Sequence, residues 1–434
     1  MIKKQGKTIT DDMVNKTMHY RYFIYIILAL GYFFVYFHRT STAVMSEDLI
    51  KSFKIAPATL GLLSSMYFYP YAVAQLPAGI LADKWGARKT VSLFVIVAGI
   101  GALLFGMATS FNVALFGRAL VGFGVAFIYV PIMRILADWF KKDEFATYSG
   151  LLLAIGNAGS LASAAPLVFL MGTIGWRNSM YSVGAISILI GILTYVIVRN
   201  KPEDIGGASI AAIEGREEVK NTNKKASTLE NIKVIVKNYN FWTTVVMLSF
   251  MYGTIMGFQG LWASSYLTTI YHMSKVEAGN LLSIIPIGMI IGCPLSGFVS
   301  DKVIKSKKKV VLLGCILYTL TWIPLLFMID SMSINFLRIL LFFYGLFGGF
   351  FVVVYANLKE NLSLDMAATG IGLLNTFVFL CGALFQQIMG AIIAKNTSNG
   401  VIALTGFKNS FIFCFAALII CILFFATQKE KKRN

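Results

Sequence analysis

The chain has 434 residues, 57% of them hydrophobic and 13% charged, with a formal net charge of +18. A soluble domain carries about 25% charged residues, so this composition excludes a single water-facing core and requires a bilayer as solvent. The surplus Lys and Arg sit in short connectors between apolar stretches, which marks membrane topology and excludes a basic nucleic-acid surface.

Residues 1–21 are polar, and a lead of that length containing Asp11 and Asp12 does not fit the n-region of a cleaved signal peptide. The first apolar run is therefore expected to stay as a membrane helix. Apolar runs lie near 22–45, 58–82, 90–109, 111–137, 145–172 and 176–198, and again near 240–270, 276–300, 308–329, 332–361, 366–394 and 408–427. Each can cross about 30 Å of hydrocarbon as a helix. The runs are continuous and lack the alternation of barrel strands. The expectation is an all-α membrane protein with twelve transmembrane helices, in two six-helix bundles at 22–198 and 240–427.

Residues 199–239, rich in Lys, Glu, Asn and Gly, form the linker, and 428–434 a short tail. In STLENIKVIVKNYN, Ser227 and Glu230 have capping-box spacing ahead of a short amphipathic helix, with a plain tether as the alternative. Placing both termini and the linker on one side gathers most of the 38 Lys and Arg there, which makes that side cytoplasmic and the host the cell membrane. Cys293, Cys315, Cys381, Cys414 and Cys421 lie within apolar runs and form no CxxC pair, so they read as packing residues. No metal and no cofactor is expected.

After the second run comes GILADKWGARK, residues 79–89. Gly79 permits close helix contact, Gly86 a tight turn, and Asp83 stands near the cationic Arg88 and Lys89. Gly297 and Asp301 repeat the spacing of Gly79 and Asp83 218 positions later, and Arg338 follows Arg118 by 220. Such offsets point to duplicated halves, although the second copy lacks an equivalent of Gly86. The loop at 79–89 resembles the signature loop of the major facilitator superfamily. Arg118-x-x-x-Gly122-x-Gly124 resembles that family's fourth-helix motif, and Gly175-Trp176-Arg177 the start of the sixth helix in its anion-carrying branches. Trp139-Phe140-x-x-x-Glu144 resembles the loop after the fourth helix, with Phe145 where an Arg is usual. The resemblance implies two pseudo-symmetric bundles, with Asp83, Gly86 and Arg88 gating the cytoplasmic side.

Ionisable residues inside a span are costly and usually functional. Arg39 falls inside the first run beside His38, about a third of the way in from the outer face, with Tyr32 and Tyr36 on the same helical face. These hydroxyls can complete the hydrogen bonding of an oxyanion held by the guanidinium. Arg118 and Arg338 are placed at comparable depth by the same counting. No Asp or Glu falls in the middle of any run, so these cations need backbone, hydroxyls or a substrate as partner. Otherwise they are structural hubs or snorkel to water. Tyr67, Tyr71 and Gln75 share one stripe; Asn157, Gln259, Asn357, Asn375 and Gln386 complete the polar set, each serving as cavity lining or as interhelical glue.

The first-run string is similar to sugar-phosphate and anion symporter branches, where an Arg at this point binds the substrate anion. Phosphate-exchanging members carry a second Arg in the seventh helix; Met256 occupies that place, and Gly156 with Asn157 stands where they have a His. The expected cargo is therefore a small solute with one carboxylate: an organic acid, a sugar acid or an amino acid. YFYPYAVAQLPAG and GLWASSYL also resemble nutrient carriers of intracellular bacteria. Alternating access is the expected mechanism, in a monomer, with a coupling proton (through His38) or sodium ion left open. The alternatives are a sugar-phosphate or nucleoside carrier, a multidrug exporter, and a transporter-like sensor. No nucleophile–base pair appears, so an enzyme is not expected.

Overall fold

The structure, a computed structural model, describes residues 2–4, 7–215, 228–362, 366–398 and 401–429. Polar caps set where the spans begin. Thr10 accepts from the Met13 N–H at 3.3 Å and opens helix Asp11–Thr40, whose first turn carries Asp11 and Asp12 against the positive end of the dipole. Half of the polar lead is therefore helical, a continuation of the first span beyond the membrane. Thr17 ties it to the linker through the Ala208 carbonyl at 2.9 Å, and Tyr20 to the end of the sixth span through the Ile197 carbonyl at 2.7 Å. Ser110 caps the fourth span, Ser274 with Glu277 the eighth, Ser306 the ninth and Ser333 the tenth.

Among the described residues ten helical runs are long and apolar enough to cross a membrane. The second span (Pro57–Ser65 and Phe68–Trp85) and the fifth (opening with Lys142–Ala162) complete the expected twelve. Two short antiparallel ribbons, Ile2–Lys4 with Lys7–Ile9 and Thr397–Ser398 with Val401–Ile402, are the strands described. Helix Thr228–Lys237 stands where the amphipathic helix was expected, with Ile235 buried and Val234 exposed; Ser227 lies outside the described residues.

The backbone itself records the duplication. Lys54 and His272, 218 positions apart, both take a positive φ (51° and 52°) just past the first and seventh spans. Gly86 (φ 85°) is matched 219 positions on by Lys305 (φ 55°), so the turn lacking a glycine still visits positive φ. The first span is also broken at Ser41, between Asp11–Thr40 and Thr42–Phe53. The seventh is distorted 218 positions later, where Phe258–Trp262 forms a turn of π-helix around Gln259 between Tyr239–Gly257 and Ala263–Ile270. Turns of this kind concentrate at functional sites, and the two irregular stretches pack against each other across the bundle boundary.

Gly86 (ψ 146°) and Gly175 (ψ 160°) share a conformation essentially confined to glycine. Gly86 alone separates the second span from Ala87–Met107, and Gly175 makes the break in Ala165–Ile197 between the fifth and sixth. Helix contacts within each bundle are close. Gly122 lies on the Tyr67 carbonyl and Gly345 on that of Ile285, 218 residues after Tyr67, and a Cβ at either would overlap that oxygen.

The side holding both chain ends is called here the terminal face, and the opposite side the distal face. Polar ties between the bundles cluster on the distal side. Lys275 Nζ meets Asp48 at 2.7 Å and Glu47 at 3.9 Å. Ser265 Oγ donates to Ser46 Oγ at 2.9 Å, and Gln387 Nε2 to Ser65 Oγ at 2.8 Å. Thr376 Oγ1 reaches the Ala72 carbonyl at 3.4 Å near mid-depth. The protein is thus closed at its distal face.

Candidate functional site

Arg39 lies deeper than its hydropathy run suggests. The helix resumes past the break and runs to Phe53, and its first charged residues, Glu47 and Asp48, lie eight and nine residues beyond Arg39, about 12–14 Å at 1.5 Å per residue. The guanidinium therefore sits near mid-membrane. It is 6% exposed and boxed by aromatic rings: Tyr36 at 4.4 Å, Phe379 at 5.4 Å and Tyr71 at 5.7 Å from Cζ. Tyr67, a near neighbour of Arg39, donates from its hydroxyl to the Val35 carbonyl at 3.1 Å. Its Nε has no hydrogen-bond partner, and among the described residues no carboxylate pairs with it. A guanidinium so placed has no fixed counter-ion among the described residues.

The stripe of Tyr32 and Tyr36 is present as expected, with ring centroids 5.3 Å apart, and Gly156 of the fifth span leaves room for both rings. Tyr67 and Tyr71 stack at 5.8 Å, and Gln75 is buried further along the same stripe. Asn375 Oδ1 accepts from Tyr355 at 2.8 Å. Asn157 bonds back to the Leu153 carbonyl at 3.0 Å, a local helix bond. Gln259 lies in the π-turn, buried, with its Oε1 unpartnered.

Two expected groups lie inside the first bundle instead. Arg118 Nη1 donates to the His38 carbonyl at 3.0 Å, in the last turn before the break, where the negative end of the helix dipole receives a cation. His38 is fully buried, with Nε2 3.5 Å from Ser187 Oγ. Arg338 is corrected outright. It stands one turn into Ile334–Gly348, exposed and bonded to Asn335 Oδ1 at 3.0 Å. A cation that close to a span's end reaches water, at far less cost than one at mid-depth.

At the terminal face, Arg88 does not reach across to the other bundle. Its Nε donates to the Tyr195 carbonyl at 2.8 Å, its guanidinium covers the Tyr195 ring at 4.6 Å, and its N–H donates to Asn200 Oδ1 at 2.9 Å. The Asp83 side chain lies outside the described residues. The Arg missing at Phe145 is replaced from elsewhere: Arg21 of the first span meets Glu144 at 2.6 Å. Burial opposes the charge of Glu144, but bonds from Arg21 and from the Lys141 backbone hold its carboxyl below the usual range.

Tyr252 and Phe379 belong to this site and were missed. Phe379 packs on Tyr71 at 4.2 Å and edge-on to Tyr252 at 5.4 Å, and Tyr252 is an electrostatic neighbour of Arg39. The signal was spacing: Tyr252 precedes Gln259 by seven, and Phe379 follows Asn375 by four. Their helices are clasped together, since Gln386 Nε2 donates to the Met256 carbonyl at 3.0 Å and Trp262 Nε1 to the Gln386 carbonyl at 3.2 Å.

Two pseudo-symmetric six-helix bundles meeting around a buried mid-membrane cation define a membrane carrier. The Major Facilitator Superfamily model matches residues 28–386. The chain belongs to that superfamily and is a multi-pass membrane transporter, not an enzyme. It is 25% identical over 323 residues to a "Probable hexose phosphate transport protein" of Chlamydia pneumoniae, covering 70% of each. It is 24% identical over 316 residues to "Membrane sensor protein UhpC" of Escherichia coli, covering 69% of this chain and 70% of that one. It is 23% identical over 421 residues to the "Probable galactarate/D-glucarate transporter GudP" of the same organism, covering 91% and 92%. A bacterial homolog of the human lysosomal transporter Spinster superposes with a TM-score of 0.75 at 19% identity, over 95% of this chain and 99% of that one.

Proposed function

We propose that this chain is a secondary carrier that moves a small monoanionic carboxylate by alternating access, with Arg39 binding the carboxylate and the terminal face cytoplasmic. The observation that carries the reading is the aromatic-boxed Arg39 guanidinium near mid-membrane, unpaired by any described carboxylate. Tyr36, Tyr67 and Tyr71 line the same space and finish the coordination of an oxyanion. A dianionic phosphoester is a poorer fit, because the seventh span, with Met256 at that point, carries no second cation. The relative named as a galactarate/D-glucarate transporter accords with an acid cargo. Gly86, Arg88 and the Asp83 turn hold the cytoplasmic ends of the second, third and sixth spans in register as the bundles rock. The test is uptake in membrane vesicles: Arg39→Ala and Arg39→Lys are expected to abolish it while folded protein persists in the membrane. Normal transport by either variant refutes the assignment.

The relative named as a membrane sensor supports a second reading, a solute sensor built on the same fold. Robust flux of the bound solute into liposomes excludes a pure sensor.

A further inference from the structure

The rings around the Arg39 guanidinium do not all belong to its own half of the protein. Tyr36 and Tyr71, 4.4 and 5.7 Å from Cζ, sit on the first and second spans and move with Arg39. Phe379, at 5.4 Å, sits on the eleventh span, in the other bundle. Its ring is held from both sides: Tyr71 packs on it at 4.2 Å, and Tyr252 of its own bundle meets it edge-on at 5.4 Å. One turn inward, Thr376 Oγ1 reaches the Ala72 carbonyl at 3.4 Å; further out, a Cβ on Gly61 would lie 2.7 Å from the Gln386 carbonyl. The eleventh span is thus laid closely along the second from the distal face to mid-depth, and Phe379 stands near the inner end of that seam.

Closing the bundles strips water from Arg39, and a guanidinium with neither water nor counter-ion is costly to bury. An anion on its N–H edge or aromatic faces against its charge can offset that cost. Tyr36 and Tyr71 travel with Arg39, whereas the face of Phe379 arrives only as the bundles come together. We propose that Phe379 is the second bundle's partner for an unloaded Arg39, so that the distal face closes without cargo and the carrier returns empty. This rests on Arg39 being the carboxylate site. Flux is then net, since a carrier that closes only when loaded is confined to exchange. A bound carboxylate neutralises the guanidinium and weakens its pull on the ring, so cargo and ring relieve each other. A desolvated cation–π contact of this kind shifts the closing equilibrium roughly tenfold.

The experiment needs no solute. The full chain, in liposomes and carboxylate-free buffer, carries nitroxides at Lys51 and Ser331, exposed at the distal ends of opposite bundles, with the native cysteines replaced. Phe379 is exchanged in turn for mono-, di- and trifluorophenylalanine, which keep the ring's shape while draining its negative face, and Phe379→Leu removes the ring outright. Pulsed electron resonance is expected to show a longer-distance, distal-open population that grows stepwise with fluorine and reaches roughly tenfold, relative to the closed form, in Phe379→Leu. In Arg39→Met the fluorine dependence is expected to vanish, because the cation is gone while the ring-to-ring contacts remain. A distance distribution indifferent to fluorine, or a dependence that persists in Arg39→Met, overturns the inference; Phe379 is then packing alone, and Arg39 stands as the carboxylate site. The reading of Arg39 fails separately, by normal uptake in Arg39→Ala.

Discussion

Lys275→Met tests how the distal face is held shut. Lys275 reaches Asp48 at 2.7 Å and Glu47 at 3.9 Å, with about a third of each side chain exposed (32%, 27% and 33%). At that exposure solvent screens the pair, so its worth is at the upper end of a surface bridge, about 1 kcal/mol. Removing it shifts the balance between distal-closed and distal-open forms roughly fivefold, since 1.4 kcal/mol is tenfold. The two neutral ties, Ser265–Ser46 and Gln387–Ser65, remain, so the face loosens without standing permanently open. Asp48→Asn is expected to do less than Lys275→Met, because Glu47 still attracts the lysine. The assay is pulsed electron resonance between nitroxides at Lys51 and Ser331, both exposed at the distal ends of opposite bundles, with the native cysteines replaced. A longer-distance population that grows in Lys275→Met, and no further in the double variant with Asp48→Asn, is the expected pattern. An unchanged distance distribution, or fully additive effects of the two substitutions, refutes the reasoning.

The glycine turns offer a paired comparison. Gly86→Ala and Gly175→Ala each force a Cβ into a backbone conformation costing about 1–3 kcal/mol, but only at Gly86 would that Cβ meet Asn200 Nδ2 at 2.8 Å. Thermal unfolding in detergent is expected to show the larger loss for Gly86→Ala; the reverse order contradicts the geometry. Arg21→Met leaves Glu144 without its cationic partner and is expected to cost about 1–3 kcal/mol in the same assay. Because the Glu144 carboxyl is held below its ordinary range in the fold, this contribution is present above the unfolded pKa. It disappears as pH falls through the lower folded value. The gap between wild type and Arg21→Met should therefore close in acid; a gap that persists there shows the loss to be one of packing.

The spans were legible because their runs are long and nearly free of charge. The depth of Arg39 was not, because Ser46, Glu47 and Asp48 end the apolar run although the helix continues to Phe53. Those residues remain polar because the other bundle answers them with Ser265 and Lys275, partners that no local pattern reveals. The same holds for Arg21 and Glu144, which stand 123 positions apart. Arg118 was correctly read as intramembrane, but its direction depends on the carbonyl exposed by the break after Thr40. Tyr252 and Phe379 passed unnoticed because aromatic residues are abundant throughout, and only tertiary placement separates a cavity ring from a lipid-facing one.

The clasp between the seventh and eleventh spans has a consequence for the transport cycle. Gln386 fastens the helix bearing Tyr252 to the helix bearing Phe379, so that wall travels as one panel. On the proposed reading of Arg39, a cargo held between them is released by the panel drawing away from Arg39 as a unit. Grip and discharge then depend on a single gap, whose width is set by how far one bundle tilts against the other.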